Sequence, residues 1–104
     1  MALDPTVLAD GQLPSTKGTL YTAADITIVK LVTYSNTGTD AQAVNLYVDS
    51  SGTSRYISPK NMSLGGHYLV EFDQPISLEV GDLLQGDAAT ALMVDYVVTG
   101  AIRP

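Results

Sequence analysis

The sequence has no cysteine and no tryptophan among its 104 residues. Without cysteine the chain can form no disulfide and no zinc–thiolate site, and it offers no thiolate nucleophile. Without tryptophan it lacks the side chain best suited to a sugar-stacking platform, which weakens a lectin hypothesis. A chain of this length fits one domain of about 100 to 150 residues, so a single modest core has to stabilise it.

Charged residues are also scarce, at 15% of the chain, against about 25% in typical domains. Eleven Asp and Glu against five Lys and Arg give a net charge of -6, which repels phosphate backbones and predicts no nucleic-acid partner. No apolar run reaches the length of about 18 residues of a membrane span, and no secretion signal of the usual pattern opens the chain. We therefore expect no membrane contact. A surface with so little charge favours burial against other proteins.

The periodic segments are rich in Val, Ile, Thr and Tyr, and turn-forming residues separate them at intervals of about 8 to 12 residues. No segment shows a helical period. The connections are too short for crossover helices, so the sheets should be antiparallel. We predict an all-β fold: a single antiparallel β-sandwich of seven to eight strands, jelly-roll or immunoglobulin-like, over residues 18–104. Residues 1–17 are expected to be an extended N-terminal arm that orders on a neighbour, or a frayed end.

The longest early run, residues 26–35, carries aliphatic side chains on both faces. One face holds Ile26, Ile28, Val32 and Tyr34, and the other holds Thr27, Val29, Leu31 and Thr33. Two explanations are open. Either Val29 and Leu31 point outward into an intermolecular contact, or a bulge near Val29 reverses the alternation.

Turn chemistry predicts the corners of the fold. The structural turn residues are expected to be Asn36, Gly52, Pro75, Gly81 and Asp82. Residues 60–67 are expected to form a loop, and Gly86-Asp87 another turn. The last strand is expected to run through residues 92–99, with Leu92, Val94, Tyr96 and Val98 facing inward.

Catalytic signals are weak. His67 is the only imidazole and follows Gly65-Gly66 in a predicted loop, but no nucleophile motif accompanies it. We expect a surface or interface histidine, no enzyme activity and no cofactor. The loop aspartates match no calcium-binding motif and serve more simply as turn formers, although calcium binding by a loop stays an alternative, and no metal site is assigned. Tyr47 and Tyr56 are expected to be exposed and are interface candidates together with Val29, Leu31 and His67.

A longer pattern runs over about residues 13 to 100. Its pieces are LPSTKGTLYTA, IVKLVTYSNTG, VNLYV, SRYISPKNMSL, YLVEFDQPISLEVGDLLQGDA and VDYVVTGAI. In this order they resemble small structural virion proteins of tailed, often marine, bacteriophages. The resemblance implies a β-sandwich present in many copies, with structural roles for Asn36, Pro75, Gly81-Asp82 and a core position for Tyr96. It supplies no catalytic residues.

The resemblance implies a bacteriophage virion structural protein. The leading hypothesis is a capsid decoration or cement protein on the exterior of the particle, made in the host cytoplasm. Such a protein would form a homo-oligomer, with a trimer favoured, and clamp the major capsid protein or other virion proteins. The alternatives are a neck, tail, baseplate or fibre component, or a receptor- or glycan-binding module.

Overall fold

The computed structural model describes residues 6–103, which form ten strands and no helix. The all-β prediction is confirmed, and every strand pairing in this range is antiparallel. In chain order the strands are β1 (Thr6–Gln12), β2 (Gly18–Thr22), β3 (Thr27–Asn36), β4 (Gln42–Ser50), β5 (Thr53–Tyr56), β6 (Met62–Leu64), β7 (Leu69–Phe72), β8 (Ile76–Leu78), β9 (Leu83–Ala88) and β10 (Val94–Ile102).

The ten strands form two five-stranded sheets. Sheet A has the order β1-β10-β3-β7, and β8 also pairs with β3; sheet B has the order β2-β9-β4-β5, and β6 also pairs with β4. β7 and β8 pair with successive parts of β3, and β5 and β6 with successive parts of β4. The predicted count of seven to eight strands is therefore wrong, because the outermost row of each sheet is broken into two short strands.

One hydrophobic core receives side chains from both sheets. Its fully buried members include Val32, Tyr34 and Val98 from sheet A and Leu46 and Leu84 from sheet B. The segment between β1 and β2 closes the core with a further buried side chain, Leu13, whose backbone exchanges hydrogen bonds of 2.8 and 3.1 Å with Val94 and Leu92. The long β-branched runs thus form the central strands, β3 and β10, as their composition predicts.

A bulge interrupts β3 at Lys30. The pairing with β10 shifts register between Thr99 and Gly100, so that Leu31 lies opposite Thr99 and Val29 opposite Gly100. Alternation is reversed at this point, and both Val29 and Val32 are fully buried. The prediction that Val29 points outward is wrong, and the alternative explanation, a bulge near Val29, describes the structure.

The predicted N-terminal arm, residues 1–17, contributes β1 to sheet A of its own chain. β1 pairs with β10 from Thr6 to Gln12, with a register shift between Val7 and Ala9. This part of the segment therefore pairs within its own domain, while residues 1–5 are outside the described range. Most β1 side chains are exposed.

Three further local predictions are wrong. Residues 60–67 contain strand β6, and Gly86-Asp87 lies inside β9 rather than in a turn. Leu92, expected to face inward, is 64% exposed because β10 begins only at Val94. Gly86 was taken for a turn residue, but its role is close packing: a β-carbon there would collide with the Tyr34 hydroxyl.

Candidate functional site

The five predicted interface residues do not form one surface. Val29 is inside the core, Leu31 lies on the outer face of sheet A, and Tyr47 and Tyr56 lie on the outer face of sheet B. His67 is exposed in the β6–β7 loop, with a φ of 62°. The structure therefore offers separate candidate surfaces.

The outer face of sheet A is mostly aliphatic and hydroxylic. Because Val32 and Tyr34 point into the core, their neighbours on β3 point outward. Cross-strand pairing then places outward side chains in three rows: Val7, Thr99 and Leu31; Asp10, Val97, Thr33 and Glu71; Gln12, Asp95, Ser35 and Leu69. Val7, Val97 and Leu69 count among the exposed large apolar side chains. This face presents contiguous uncharged area between scattered carboxylates.

The ionisable side chains in these three rows of sheet A have one sign. Asp10, Glu71 and Asp95 are the ionisable members of the three rows, and Gln12 donates a hydrogen bond of 3.2 Å to Asp95. Lys30, at the bulge, is the nearest cation along β3. Contact between two copies of this face would bring like charges together, whereas a partner carrying Lys or Arg would be attracted.

A second apolar surface, here called the apolar end, consists of Tyr68, Leu69 and Leu92. Their exposed fractions are 70%, 59% and 64%. The Asn36 backbone N–H donates to Tyr68 O at 2.9 Å, and Thr37 N–H donates to Met93 O at 3.1 Å, which brings the β6–β7 and β9–β10 loops together where β3 ends. His67 is in the same place, since its N–H donates to Gly38 O.

The outer face of sheet B carries a polar and aromatic cluster, here called the tyrosine patch: Asn45, Tyr47, Tyr56, Asn61 and Asp87. The carboxylate of Asp87 accepts two short hydrogen bonds, from Asn45 Nδ2 at 2.7 Å and from the Tyr47 hydroxyl at 2.6 Å. Asn45 and Asn61 are joined by two more, of 3.1 and 2.7 Å. The bonds tie β4, β9 and the β5–β6 loop into one rigid arrangement.

The two tyrosines of the patch differ in exposure. Their ring centroids are 4.7 Å apart at 45°, and Lys17 Nζ lies 5.0 Å from the centroid of Tyr47. Tyr47 was predicted to be exposed, but Tyr56 and Lys17 cover it and leave it only 7% accessible, whereas Tyr56 is 47% exposed. Burial, followed by the hydrogen bond to Asp87, raises the pKa of Tyr47 well above its ordinary value.

The tyrosine patch borders a shallow cavity of about 400 Å³, which Ser15, Ala43, Ala88 and Ala89 also line. A wider cavity of about 560 Å³ lies where both edge rows are interrupted, between Ile57 and the β7–β8 loop. Phe72 and Pro75 line it beside the carboxylates of Glu71 and Asp73. Both cavities are open to solvent, and neither carries a concentration of positive charge.

The predicted turn residues occupy corners and strand ends. Gly52 has a φ of 83° in the hairpin between β4 and β5. Asn36, at the end of β3, is buried; its side chain donates to Asp40 O and Leu64 O and accepts from Gly38 N–H at 3.0 Å. Pro75 lies between β7 and β8, where it separates the two short strands.

Gly81 and Asp82 connect β8 to β9. Gly81 has a φ of 91°, a left-handed conformation that favours glycine. The Asp82 carboxylate accepts from Glu79 N–H and from the Ser50 hydroxyl, both at 3.0 Å. The corner is therefore held by side-chain and backbone contacts of its own residues, and Asp82 acts as a turn former.

Within residues 6–103, no group of three or more His, Cys, Asp or Glu side chains is arranged to hold a metal ion. In the same range the structure has no helix of the length and hydropathy needed to cross a membrane. Comparison of the chain with models of known families, with curated proteins and with solved structures finds no match. The resemblance to phage structural proteins is therefore carried by the quoted sequence segments alone.

Sequence reasoning missed most of the tyrosine patch. Asp87 was assigned to a turn, and Asn45 was not among the predicted site residues. The available signal was the pairing of a polar residue with an aromatic one, Asn45 and Tyr47, at alternate positions of one strand. Their shared acceptor is 40 residues away from Tyr47 along the chain, so only the register of β4 with β9 reveals it.

Proposed function

We propose that this chain is a structural protein of a tailed-bacteriophage particle, most specifically a capsid decoration protein that binds the outside of the shell. The observation that carries the proposal is the outer face of sheet A, where Val7, Leu31 and Val97 are interspersed with threonines. Such a face loses little by desolvation and gains by burial against another protein. The sequence resemblance points to the same class.

The strand order supports a jelly-roll sandwich as the fold. If β5 and β6 are counted as one strand, and β7 and β8 as another, residues 6–103 form eight strands, four in each sheet. Along the chain these strands then alternate between the two sheets, except at the β4–β5 hairpin, which stays in sheet B. The sheet orders β1-β10-β3-β7 and β2-β9-β4-β5 are those of two interleaved Greek keys. Viral capsid proteins and lectins use this architecture, so it fits both virion and glycan-binding hypotheses.

We assign the outer face of sheet A to the contact with the shell. Its three carboxylates, Asp10, Glu71 and Asp95, disfavour a contact between identical faces and favour a basic partner. We assign the apolar end to contacts between copies in a trimer, because Tyr68, Leu69 and Leu92 bring no net charge with them.

The binding mechanism is burial. A contact of standard size removes about 800 Å² per partner from water, and apolar area contributes about 25 cal/mol per Å², although association entropy offsets much of this gross gain. Several contacts on one lattice raise the residence time through effective concentration. No reactive side chain takes part, and we propose no enzymatic activity.

The test is co-sedimentation of the purified protein with shells of the major capsid protein encoded in the same genome. We expect wild-type protein to be retained, and Leu31→Lys and Val97→Lys each to lower the affinity by about tenfold or more. Val80→Lys is the matched control, since Val80 is exposed away from this face, in the β8–β9 connection. Circular dichroism verifies that the variants fold.

Failure of the shells to retain wild-type protein, or equal retention of all three variants, would overturn the decoration hypothesis. A reconstruction of the whole particle would then decide the alternative location, because a neck, tail, baseplate or fibre protein has density outside the head. Light scattering tests the trimer separately, with Tyr68→Ser expected to shift the protein toward monomer. A monodisperse 11.0 kDa species for the wild type would contradict the oligomer.

A further inference from the structure

The shell contact proposed for sheet A does not involve the tyrosine patch on the outer face of sheet B. We propose that the tyrosine patch is a carbohydrate-binding site, in which one neutral hexopyranose unit occupies the cavity beside Tyr56 and Asp87. The proposal is independent of the virion assignment, since it concerns the outer face of sheet B. The cavity volume of about 400 Å³ falls within the range of about 300–1,000 Å³ of small-molecule sites.

The Asp87 carboxylate is held in a fixed orientation, in which it can accept hydrogen bonds from a ligand. Asn45 Nδ2 donates to one oxygen and the Tyr47 hydroxyl to the other, so both oxygens are held in place by side chains of β4. A carboxylate offers about four lone-pair sites, and these two bonds leave one on each oxygen. Two adjacent hydroxyl groups of a sugar can donate to such a pair of acceptors without any rearrangement of the protein.

The ring of Tyr56 offers an exposed aromatic face on which a sugar can pack. Tyr56 is 47% exposed, and its contact with Tyr47, at a centroid distance of 4.7 Å, limits its freedom to rotate. A pyranose ring has one face of C–H groups, which packs on an aromatic ring while the hydroxyls at its edge form hydrogen bonds. Ala43 and Ala89 contribute apolar surface to the same cavity.

Charge favours a neutral ligand in the tyrosine patch. The Asp87 carboxylate is accompanied by one ammonium group, Lys17 Nζ at 5.0 Å from the Tyr47 ring centroid, and the chain carries a net charge of -6, so phosphate and other anions are disfavoured. A divalent cation needs more charged oxygen ligands than the single carboxylate of Asp87 supplies. In the part of the chain that the structure describes, no group of three or more His, Cys, Asp or Glu side chains could hold one. A neutral ligand rich in hydroxyl donors matches what the patch presents.

The internal hydrogen bonds are satisfied without a ligand, so the patch would also stabilise the sheet if nothing bound to it. The two roles separate at Tyr56, whose hydroxyl and outer face are not needed for the Asn45–Asp87–Tyr47 bonds. Removing the Tyr56 ring therefore removes the sugar platform. It uncovers Tyr47 but keeps every donor and acceptor of the Asn45–Asp87–Tyr47 bonds, which makes Tyr56 the decisive position.

The experiment is a ¹H–¹⁵N NMR titration of the full chain with glucose, galactose, mannose and N-acetylglucosamine, and with maltose, lactose and chitobiose, each up to about 20 mM to detect millimolar affinities. We expect at least one sugar to shift resonances of Asn45, Tyr56, Asn61 and Asp87. Tyr56→Ala should weaken binding by about tenfold or more. Tyr56→Phe should restore it to within about threefold, because the ring is kept.

Val80→Ala is the control, since Val80 is exposed in the β8–β9 connection, outside the tyrosine patch and the apolar end, and it should bind as the wild type does. The proposal is overturned if no sugar shifts the patch, if Tyr56→Ala binds as tightly as the wild type, or if Val80→Ala loses binding equally. Tighter binding of glucuronate than of glucose would also overturn it, because the site would then be anionic in its preference. None of these outcomes affects retention on shells.

Discussion

The hydroxyl of Tyr34 donates a hydrogen bond of 2.9 Å to the backbone carbonyl oxygen of Asn45, and this bond joins the two sheets through the core. Tyr34 lies on β3 of sheet A and is fully buried, and Asn45 lies on β4 of sheet B. The Asn45 side chain points to the opposite side of β4, where it binds Asp87. One residue thus links the packing between the sheets to the tyrosine patch outside.

Loss of the Tyr34 hydroxyl should destabilise the fold. In Tyr34→Phe the Asn45 carbonyl oxygen loses its inter-sheet donor in a buried place, so we expect the free energy of unfolding to fall by about 1–3 kcal/mol. Urea unfolding followed by circular dichroism measures the change. Tyr68→Phe, at an exposed tyrosine, is the control and should change little; equal effects of the two substitutions would argue against the role of this bond.

Gly86→Ala should also be destabilising. The added methyl group would collide with the Tyr34 hydroxyl and lie 3.0 Å from Leu20 Cδ1 and 3.1 Å from Asn45 O. Overpacking of this kind costs about 1–3 kcal/mol, which thermal and urea unfolding would detect. Gly52→Asn is the control, because nothing lies within 4 Å of a β-carbon there and asparagine tolerates a positive φ. A Gly86→Ala protein as stable as the wild type would show that the core yields easily.

Stability should fall at alkaline pH. Burial raises the pKa of Tyr34, Tyr47 and Tyr96 above the ordinary value of 10.0. Above that pH the unfolded chain releases tyrosine protons that the folded chain retains, so the free energy of unfolding is unaffected below about pH 10 and decreases as the pH rises further. Urea unfolding at a series of pH values, with tyrosinate absorbance, tests this. Ionisation of all six tyrosines in the folded state near their ordinary pKa would contradict it.

Asp87→Asn should lower the pKa of Tyr47 without returning it to the ordinary value. Burial is the largest cause of the raised pKa and is preserved, whereas the hydrogen bond to the carboxylate and its negative charge are lost. NMR titration of the tyrosine ring carbons measures the shift. Asp49→Asn, on the same strand, should leave the Tyr47 pKa unchanged. An unchanged pKa in Asp87→Asn would mean that the 2.6 Å bond has little effect on ionisation.

β1 should open before the central strands of sheet A, β3 and β10. It is an edge strand whose side chains are mostly exposed. Leu8 and Ala9 are partly buried and pack against the core. Local opening is easiest where little apolar area is buried, so amides of β1 should exchange with solvent faster than those of β3 and β10. Hydrogen-exchange NMR checks this order. Equal protection of β1 and β3 would show that β1 unfolds only with the whole domain.

The sequence by itself determined the class of fold and much of the core. Runs of β-branched and aromatic residues separated by turn formers favour strands, and the short connections between them favour antiparallel sheets. Alternation correctly buries Val32, Tyr34, Val94 and Val98. These properties depend on neighbours a few residues apart, which are visible in the order of the chain.

Only the tertiary structure decided the remaining features, because each depends on a residue distant in sequence. The bulge at Lys30 places the Val29 side chain in the core. The Tyr34 hydroxyl occupies the space that a β-carbon would take at position 86 of β9, so a glycine is needed there. The register of β4 with β9 brings Asp87 within hydrogen-bonding distance of Asn45 and Tyr47. Composition and spacing cannot specify such contacts, since register is set by the packing of both sheets at once.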